Sequence, residues 1–335
     1  MHRRIRKATT SAAVLVVLGV AGCGSPDRGD DAGDTVEAEK VINCGIPVSP
    51  SEPVERAVAV NQPAVELLLS LGLEDRLAGV ALGDDRLLPE LEAAASQVYR
   101  FDTEFPSFEA VLDHEPDFVY TTFDYTFTDE GIADRVRFTE LGIATYQSPS
   151  ECTGQDAVQD SELTLEDLYA EILEVSTLFD VRDRGDRLVG RLRDRAEAAA
   201  GDIDASGVTL AWWYAGTASP YIAGCCGAPG IMTREVGAQN AFRESRQLWP
   251  EVGWESILDR DPTVLVLADL TRGGDGDSAE EKIRFLESDP VASRLTAVRN
   301  KRYIILEGTT MDPSIRNIAG IEQLAASLRE LGVTQ

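Results

Sequence analysis

Few residue types in this chain could carry out covalent chemistry. Histidine occurs only as His2 and His114, so imidazole acid–base work has one candidate beyond the extreme N-terminus. His114 lies in an LDHEP turn and reads as a surface residue. No G-x-S-x-G elbow, phosphate-cradling P-loop or HExxH pair is present. With 58 Asp and Glu residues, no single carboxylate pairing stands out as an acid–base couple. An enzyme is therefore a weak reading. A direct metal-ion binder would need several histidines or a carboxylate cluster, and lacks support for the same reason. Cys225 and Cys226 are adjacent within Gly-Cys-Cys-Gly-Ala-Pro-Gly (residues 224–230), which reads as a tight loop. Two neighbouring thiols supply at most half of a tetrahedral metal shell, so the pair is a vicinal disulfide or two thiols.

The other cysteines depend on where the chain resides. Arg3, Arg4, Arg6 and Lys7 precede an apolar run at residues 12–20 and the small residues Ala21 and Gly22. A basic leader, a short apolar core and small residues describe an export signal, and the run is too short to span a bilayer of about 30 Å. Cys23 stands at the cleavage position, and Val20-Ala21-Gly22-Cys23 resembles the lipobox of bacterial lipoproteins. That resemblance implies removal of residues 1–22, lipid on Cys23, and a protein held on the extracytoplasmic face of the cell membrane by acyl chains. Residues 25–40 (SPDRGDDAGDTVEAEK) are polar, acidic and poor in apolar side chains, so residues 23–43 read as a disordered tether. Disulfides persist in such a compartment. Cys44 and Cys152 sit at the two edges of the first lobe outlined below and are expected to pair.

Net charge excludes a further class. The chain carries −27, and losing the basic leader makes the remainder more acidic still. Nucleic acid and anionic lipid surfaces reward clustered Lys and Arg, so neither is the expected partner. The length exceeds what a single core of about 250–300 residues comfortably fills, which points to two lobes.

Two lobes with helix-covered parallel sheets also fit the hydrophobic pattern. Short β-like runs alternate with amphipathic helices: AVAV (57–60), a helix at 64–71, LAGVA (77–81), a helical stretch near 87–95, DFVYTTF (117–123), a helix near 131–141, and IATYQ (143–147). The same grammar restarts at VTLAWWYA (208–215). It continues through a helix near 231–236, WESILDRDPTVLVLA (254–268), a helix from 279, RYIILEG (302–308) and a last helix at 314–331. Alternation buries at least one of Trp212 and Trp213. Thr164 and Asp167 give a capping signature for a helix reaching about Phe179. A second helix at 181–200 carries Leu188, Val189, Leu192 and Ala196 as its apolar stripe, and about 20 residues make a rod of about 30 Å. That rod suits a bridge between lobes at 44–180 and 201–335, and Gly185, about 1 kcal/mol worse than Ala in a helix, leaves room for a local kink. SFEAVLDHEPDFVY (107–120) and GWESILDRDPTVLV (253–266) match in order, as two lobes built on one plan would require.

At this point the chain resembles the class III substrate-binding proteins of iron–siderophore and vitamin B12 ABC importers. The resemblance rests on ERAVAVNQPAVELLLSLGLEDRLAGVA (55–81), SFEAVLDHEPDFVY, WESILDRDPTVLVLADL (254–270) and NKRYIILEGTTMDPSIRNIAGIEQLAASL (300–328). It implies an α/β fold of two Rossmann-like lobes joined by one long helix, a monomer with no cofactor, and ligand held in the cleft between lobes. Glu109 and Glu255 occupy the positions at which the family docks onto arginines of the membrane permease, which works with its ATPase. Strand ends place Asn61, Gln62, Phe101, Glu104, Phe123 and Tyr125 of the first lobe at the cleft. Tyr214, Tyr221, Arg272, Thr310 and Met311, with the adjacent cysteines, face them from the second. Aromatic faces and an arginine suit a ferric siderophore, such as a catecholate or citrate-like chelate, as the small-molecule ligand. Vitamin B12 or another corrinoid is the nearest alternative, and haem has tyrosines available but no histidine partner.

Overall fold

The computed structural model describes residues 41–334 apart from Ser49, Asp84, Asp85 and Asp202. The leader, Cys23 and the tether up to residue 40 lie outside the described residues. The tether expected to extend to residue 43 ends earlier, because β1 (Val41–Asn43) pairs antiparallel with β2 (Ile46–Val48). The buried Asn43 side chain donates to the Gln147 carbonyl at 2.7 Å and accepts from the Gln147 N–H at 2.8 Å, which ties this hairpin to the first lobe.

The first lobe runs β3 (Ala57–Val60), α1 (Gln62–Ser70), β4 (Leu77–Ala81), α2 (Glu92–Ala95), α3 (Phe108–Leu112), β5 (Phe118–Thr121), α4 (Arg135–Glu140) and β6 (Ala144–Gln147). Its sheet has the order β4-β3-β5-β6 with every pair parallel. All four residues of β3 and of β5 are buried, as strands covered on both faces must be. The helix expected near 131–141 starts later. Residues 131 and 132 turn back on Tyr125 and Thr126, with the Ile132 N–H donating to the Thr126 carbonyl, and Asp134 then caps α4 by accepting from the Val136 N–H at 2.7 Å.

Two helices follow, α5 (Leu165–Leu178) and α6 (Arg182–Gly201). The Thr164 and Asp167 capping box forms as the sequence requires, and Leu188, Val189, Leu192 and Ala196 are buried along α6. Gly185 is not the site of a break. A Cβ there would come within 2.2 Å of Ser176 Oγ, so the glycine lets α6 cross α5 closely while the helix runs on.

The second lobe contains β7 (Thr209–Trp213), α7 (Ala228–Glu235), β8 (Gln239–Asn240), α8 (Trp254–Arg260), β9 (Val264–Asp269), α9 (Ala279–Ser288), α10 (Thr296–Arg299), β10 (Tyr303–Glu307) and α11 (Arg316–Glu330). Its sheet order is β10-β9-β7-β8, again all parallel. Counted in order of appearance within each lobe, both main sheets read second, first, third, fourth. α3 precedes the third strand of one and α8 that of the other, so the two matching sequence segments fill the same slot. Trp212 and Trp213 are both buried, on opposite faces of β7. Trp212 donates to Thr233 Oγ1 at 2.9 Å, while Trp213 meets Trp254 with ring centroids 4.9 Å apart.

One buried cluster continues from the first lobe through α5 and α6 into the second. A buried ion pair crosses between lobes: Arg316 of α11 donates to Glu66 of α1 through Nε at 2.7 Å and Nη2 at 2.6 Å. Among the described residues no helix is long and apolar enough to cross a membrane.

Candidate ligand-binding cleft

Parallel strands end together, so the loops that follow β3, β5, β7 and β9 converge on one crevice. A cavity of about 230 Å³ lies there, walled by both lobes. Asn61, Gln62, Glu104, Phe123 and Tyr125 line it from the first lobe, and Tyr214 and Arg272 from the second. Seven of the residues expected at the cleft therefore meet in it.

Asn61 stands between β3 and α1 with φ of 74° and ψ of 149°, a strained backbone conformation outside the αL well. Its Oδ1 accepts from Thr121 Oγ1 at 2.6 Å, which fixes the side chain, while its buried Nδ2 has no partner. Gln62 donates to the Arg86 carbonyl at 2.5 Å and leaves its buried Oε1 without one. The cleft floor thus offers one amide donor and one amide acceptor for a ligand.

Aromatic faces make the walls. Phe123 and Tyr125 stack with centroids 5.2 Å apart and planes 14° from parallel, and across the cleft Tyr214 meets Trp249 at 4.8 Å. The Arg272 guanidinium lies 5.3 Å from the Tyr214 ring centre and donates to Asp277 Oδ1 at 2.8 Å. Burial alone would raise the Asp277 carboxyl, but hydrogen bonds from Arg272 and the Gly274 N–H, with the charges of Arg272 and Lys282, hold it below the usual range. The Tyr125 phenol is pushed far above its ordinary value, first by burial and then by Asp312, Glu104, Tyr214 and Glu151.

Four expected residues do not line this cavity. Phe101 is buried in the first lobe's own core, with its ring where a Cβ on Gly79 would stand. Tyr221 is turned outward, donating to Glu251 Oε1 at 2.7 Å. Thr310 borders a separate surface pocket beside Glu307 and Arg316, and Met311 lies in a small chamber beneath the cleft. A short turn at Gly308–Met311 swings Thr309 and Asp312 into the cavity and these two away from it. Cys225 and Cys226 are bonded to each other and packed behind Trp249, outside the cavity lining.

Among the lining residues that the sequence did not point to, Trp249 and Gln155 come from segments without a regular pattern. Trp249 belongs to the aperiodic stretch RQLWPEVGW, where no alternation marks its face. Gln155 comes from the segment after Cys152, which crosses to the second lobe. There the Gln159 N–H donates to the Arg246 carbonyl at 2.9 Å and the Leu163 N–H to that of Cys226 at 3.1 Å. Glu109 and Glu255 do not line the cavity; each is the exposed second residue of its helix, α3 and α8.

A sequence profile described as periplasmic binding protein matches residues 58–309. The chain belongs to the periplasmic binding protein family. No curated protein sequence matches it significantly. Solved structures share the fold of this binding protein. A periplasmic binding protein from Veillonella parvula dsm 2008 aligns with a TM-score of 0.74 and 21% identity, covering 83% of this chain and 92% of its own. A protein described as an ABC-type Fe3+-hydroxamate transport system from Saccharomonospora viridis DSM 43017 aligns at 0.71 and 25% identity, covering 87% and 99%. A periplasmic haem-binding protein from Roseiflexus sp. RS-1 aligns at 0.63 and 18%, covering 83% and 98%, which shows the fold alone. Proteins of this family are extracytoplasmic substrate-binding components of ABC transporters, not enzymes, and they operate with a permease and an ATPase.

Proposed function

We propose that this binding protein captures a ferric siderophore outside the cytoplasmic membrane, to which the lipid on Cys23 ties it, and delivers the chelate to its permease. The observation that carries this reading is the cleft itself: two facing pairs of aromatic rings around polar amides. Broad aromatic walls suit the apolar flanks of a chelate, and the amides suit its oxygens and N–H groups. Three hydroxamate monoanions around Fe3+ leave a neutral chelate whose apolar flanks match these walls, and Arg272, Glu104 and Asp312 line the same cavity. The relative from Saccharomonospora viridis, described as a Fe3+-hydroxamate system, agrees in chemistry.

Haem has less support. His114 packs against Tyr99 and Phe101 at 4.3 and 5.1 Å, outside the cleft lining.

Trp249 offers an intrinsic probe. Its fluorescence should be quenched on titration with a ferric trihydroxamate, and native mass spectrometry should show one chelate per chain. Quenching by cobalamin or haemin and by no ferric chelate would overturn the reading. Radiolabelled palmitate should enter the wild-type protein in cells and be absent from Cys23→Ser, and label retained in that variant would remove the anchor.

A further inference from the structure

Arg272 enters the cleft from the loop that joins β9 to α9, so its guanidinium has a defined place only if that loop is fixed. Asp277 gathers the loop from its far end. Its buried carboxylate accepts from Arg272 Nη2 at 2.8 Å through Oδ1 and from the Gly274 N–H at 2.7 Å through Oδ2. The loop after β7, which carries Tyr214, interlocks with this one. The Gly216 N–H donates to the Asp275 carbonyl at 2.9 Å, and the Thr217 N–H donates to Asp275 Oδ2 at 2.8 Å. Arg272 and Tyr214 are thus mounted on two loops that hold each other.

Behind both loops lies Lys282 of α9, a lysine with no exposed surface. Its Nζ donates to the carbonyl of Ala268, near the end of β9, and to that of Asp277, each at 2.7 Å. The same ammonium stands 5.6 Å from the ring centre of Trp213. The Trp213 indole N–H donates in turn to the carbonyls of Ala215 at 3.0 Å and Gly216 at 2.9 Å, in the loop that carries Tyr214. One buried cation therefore touches the strand end, the far end of the Arg272 loop and the tryptophan that secures the Tyr214 loop. Lysine is almost never fully buried, because desolvating an ammonium is costly, so apolar packing alone does not account for this one. We infer that Lys282 is the positioning residue of the cleft's second wall, holding the Asp277 end of the loop so that Arg272 is set against Tyr214 before ligand arrives. The inference rests on the reading of the cleft above and adds to it the buried group that presets one wall.

The test has a ligand-free arm and a ligand arm. In nitrogen NMR spectra of ligand-free wild-type protein, the Arg272 guanidinium, assigned with Arg272→Gln, should rotate slowly. In Lys282→Met it should rotate freely. In the second arm, Trp249 quenching by a ferric trihydroxamate should show Lys282→Met binding about fivefold more weakly than wild type. The same substitution added to Arg272→Gln should cost less than about twofold further, because the two act through one contact. Wild-type affinity should also fall about fivefold between about pH 7 and 9.5. Over that range Lys282, lowered to about 8 by burial, gives up its proton. The charged groups that face it are Asp277 and Arg272 of the loop, Asp269 of β9 and Glu281 of its own helix, and carboxylates and guanidinium groups do not ordinarily titrate there. The fall should be absent in Lys282→Met. It runs against stability, which the loss of this proton raises, so partial unfolding cannot mimic it.

An Arg272 signal and a pH slope unchanged by Lys282→Met overturn the inference. A loss in Lys282→Met that adds in full to that of Arg272→Gln overturns it as well, since the lysine would then act through packing. If Lys282→Met folds poorly, the wild-type profile decides, and a flat one overturns the inference. If no ferric chelate binds, the siderophore reading falls, and the ligand-free spectra alone decide the role of Lys282.

Discussion

The two lobes repeat one strand order but are fastened by opposite means. In the first, Cys44 and Cys152 are joined across 108 residues, with Cα atoms 5.1 Å apart. In the second, the disulfide joins the neighbours Cys225 and Cys226 and closes almost no chain. The first lobe needs the longer staple because its outermost element is a two-stranded hairpin, β1 with β2, of a kind that is marginal alone in water. The second lobe has Trp213, Trp254 and Phe285 in mutual contact behind its sheet and no such appendage. A common topology thus leaves open where the stability comes from.

The largest effect should come from the long bridge. Replacing Cys44 and Cys152 together with Ser should lower unfolding stability by about 4–5 kcal/mol on the chain-entropy account, and by less if native strain is relieved. Replacing Cys225 and Cys226 should cost less than about 1 kcal/mol in the same denaturant titration, since the loop closed is minimal. Equal losses would mean that the second bridge supports packing behind Trp249 rather than closing chain.

Next in size is the clamp that joins the lobes. Glu66→Gln leaves Arg316 buried with Glu307 as its remaining carboxylate partner, at 2.7 Å. Breaking a buried pair on one side should cost about 3 kcal/mol or more, while Glu66→Leu with Arg316→Met should recover most of it. A double variant as unstable as the single one would show that the pair holds the lobes in register in a way apolar packing cannot replace.

Buried charge separates the lobes again, with opposite pH slopes. Burial pushes Glu171 of the first lobe up to about 7, although Tyr120 and Ser148 donate to it at 2.6 and 2.8 Å. The folded state then holds a proton that the unfolded chain releases, so this group's contribution to stability is lost as pH rises from about 4.5 to 7. Glu171→Gln should abolish a fall of about 2–3 kcal/mol over that range. Lys282 of the second lobe is lowered to about 8 by burial, partly offset by Asp277 and Asp269. Its contribution grows as pH rises from about 8 to 10.5, and Lys282→Met should remove that rise. Unfolding midpoints across pH for the two variants decide both signs.

The sheets, the capping box, the bridging helix and the long disulfide were legible in the sequence, because periodicity, capping chemistry and cysteine spacing are local or arithmetic signals. The cleft was legible where it follows a strand end, as at Asn61, Phe123 and Tyr214. It was illegible where a loop decides. Phe101 and Tyr221 sit close to strands, yet their rings turn into the core and to the outer surface. Trp249 and Gln155 reach the cavity from aperiodic segments whose paths depend on contacts made across lobes. Glu151 gave no sign of burial, since one acid among 58 carries no pattern.

The smallest expected effect on ligand affinity concerns the repeat itself. Glu109 and Glu255 occupy the same slot in the two lobes, each exposed in the first turn of the helix that precedes the third strand. If they meet permease arginines, each pair lies at an exposed rim and is worth little alone, but the two together set the lobes over the channel. Glu109→Arg with Glu255→Arg should leave chelate affinity within about threefold, since neither residue lines the cleft. Uptake through the cognate permease should nearly vanish, because like charges would then face each other. Either single variant should retain part of the uptake, and the two partial losses should be alike if the lobes dock equivalently. An unequal pair would assign docking mainly to one lobe. Normal uptake in the double variant would move the docking surface elsewhere and leave the matched glutamates as a remnant of the shared plan.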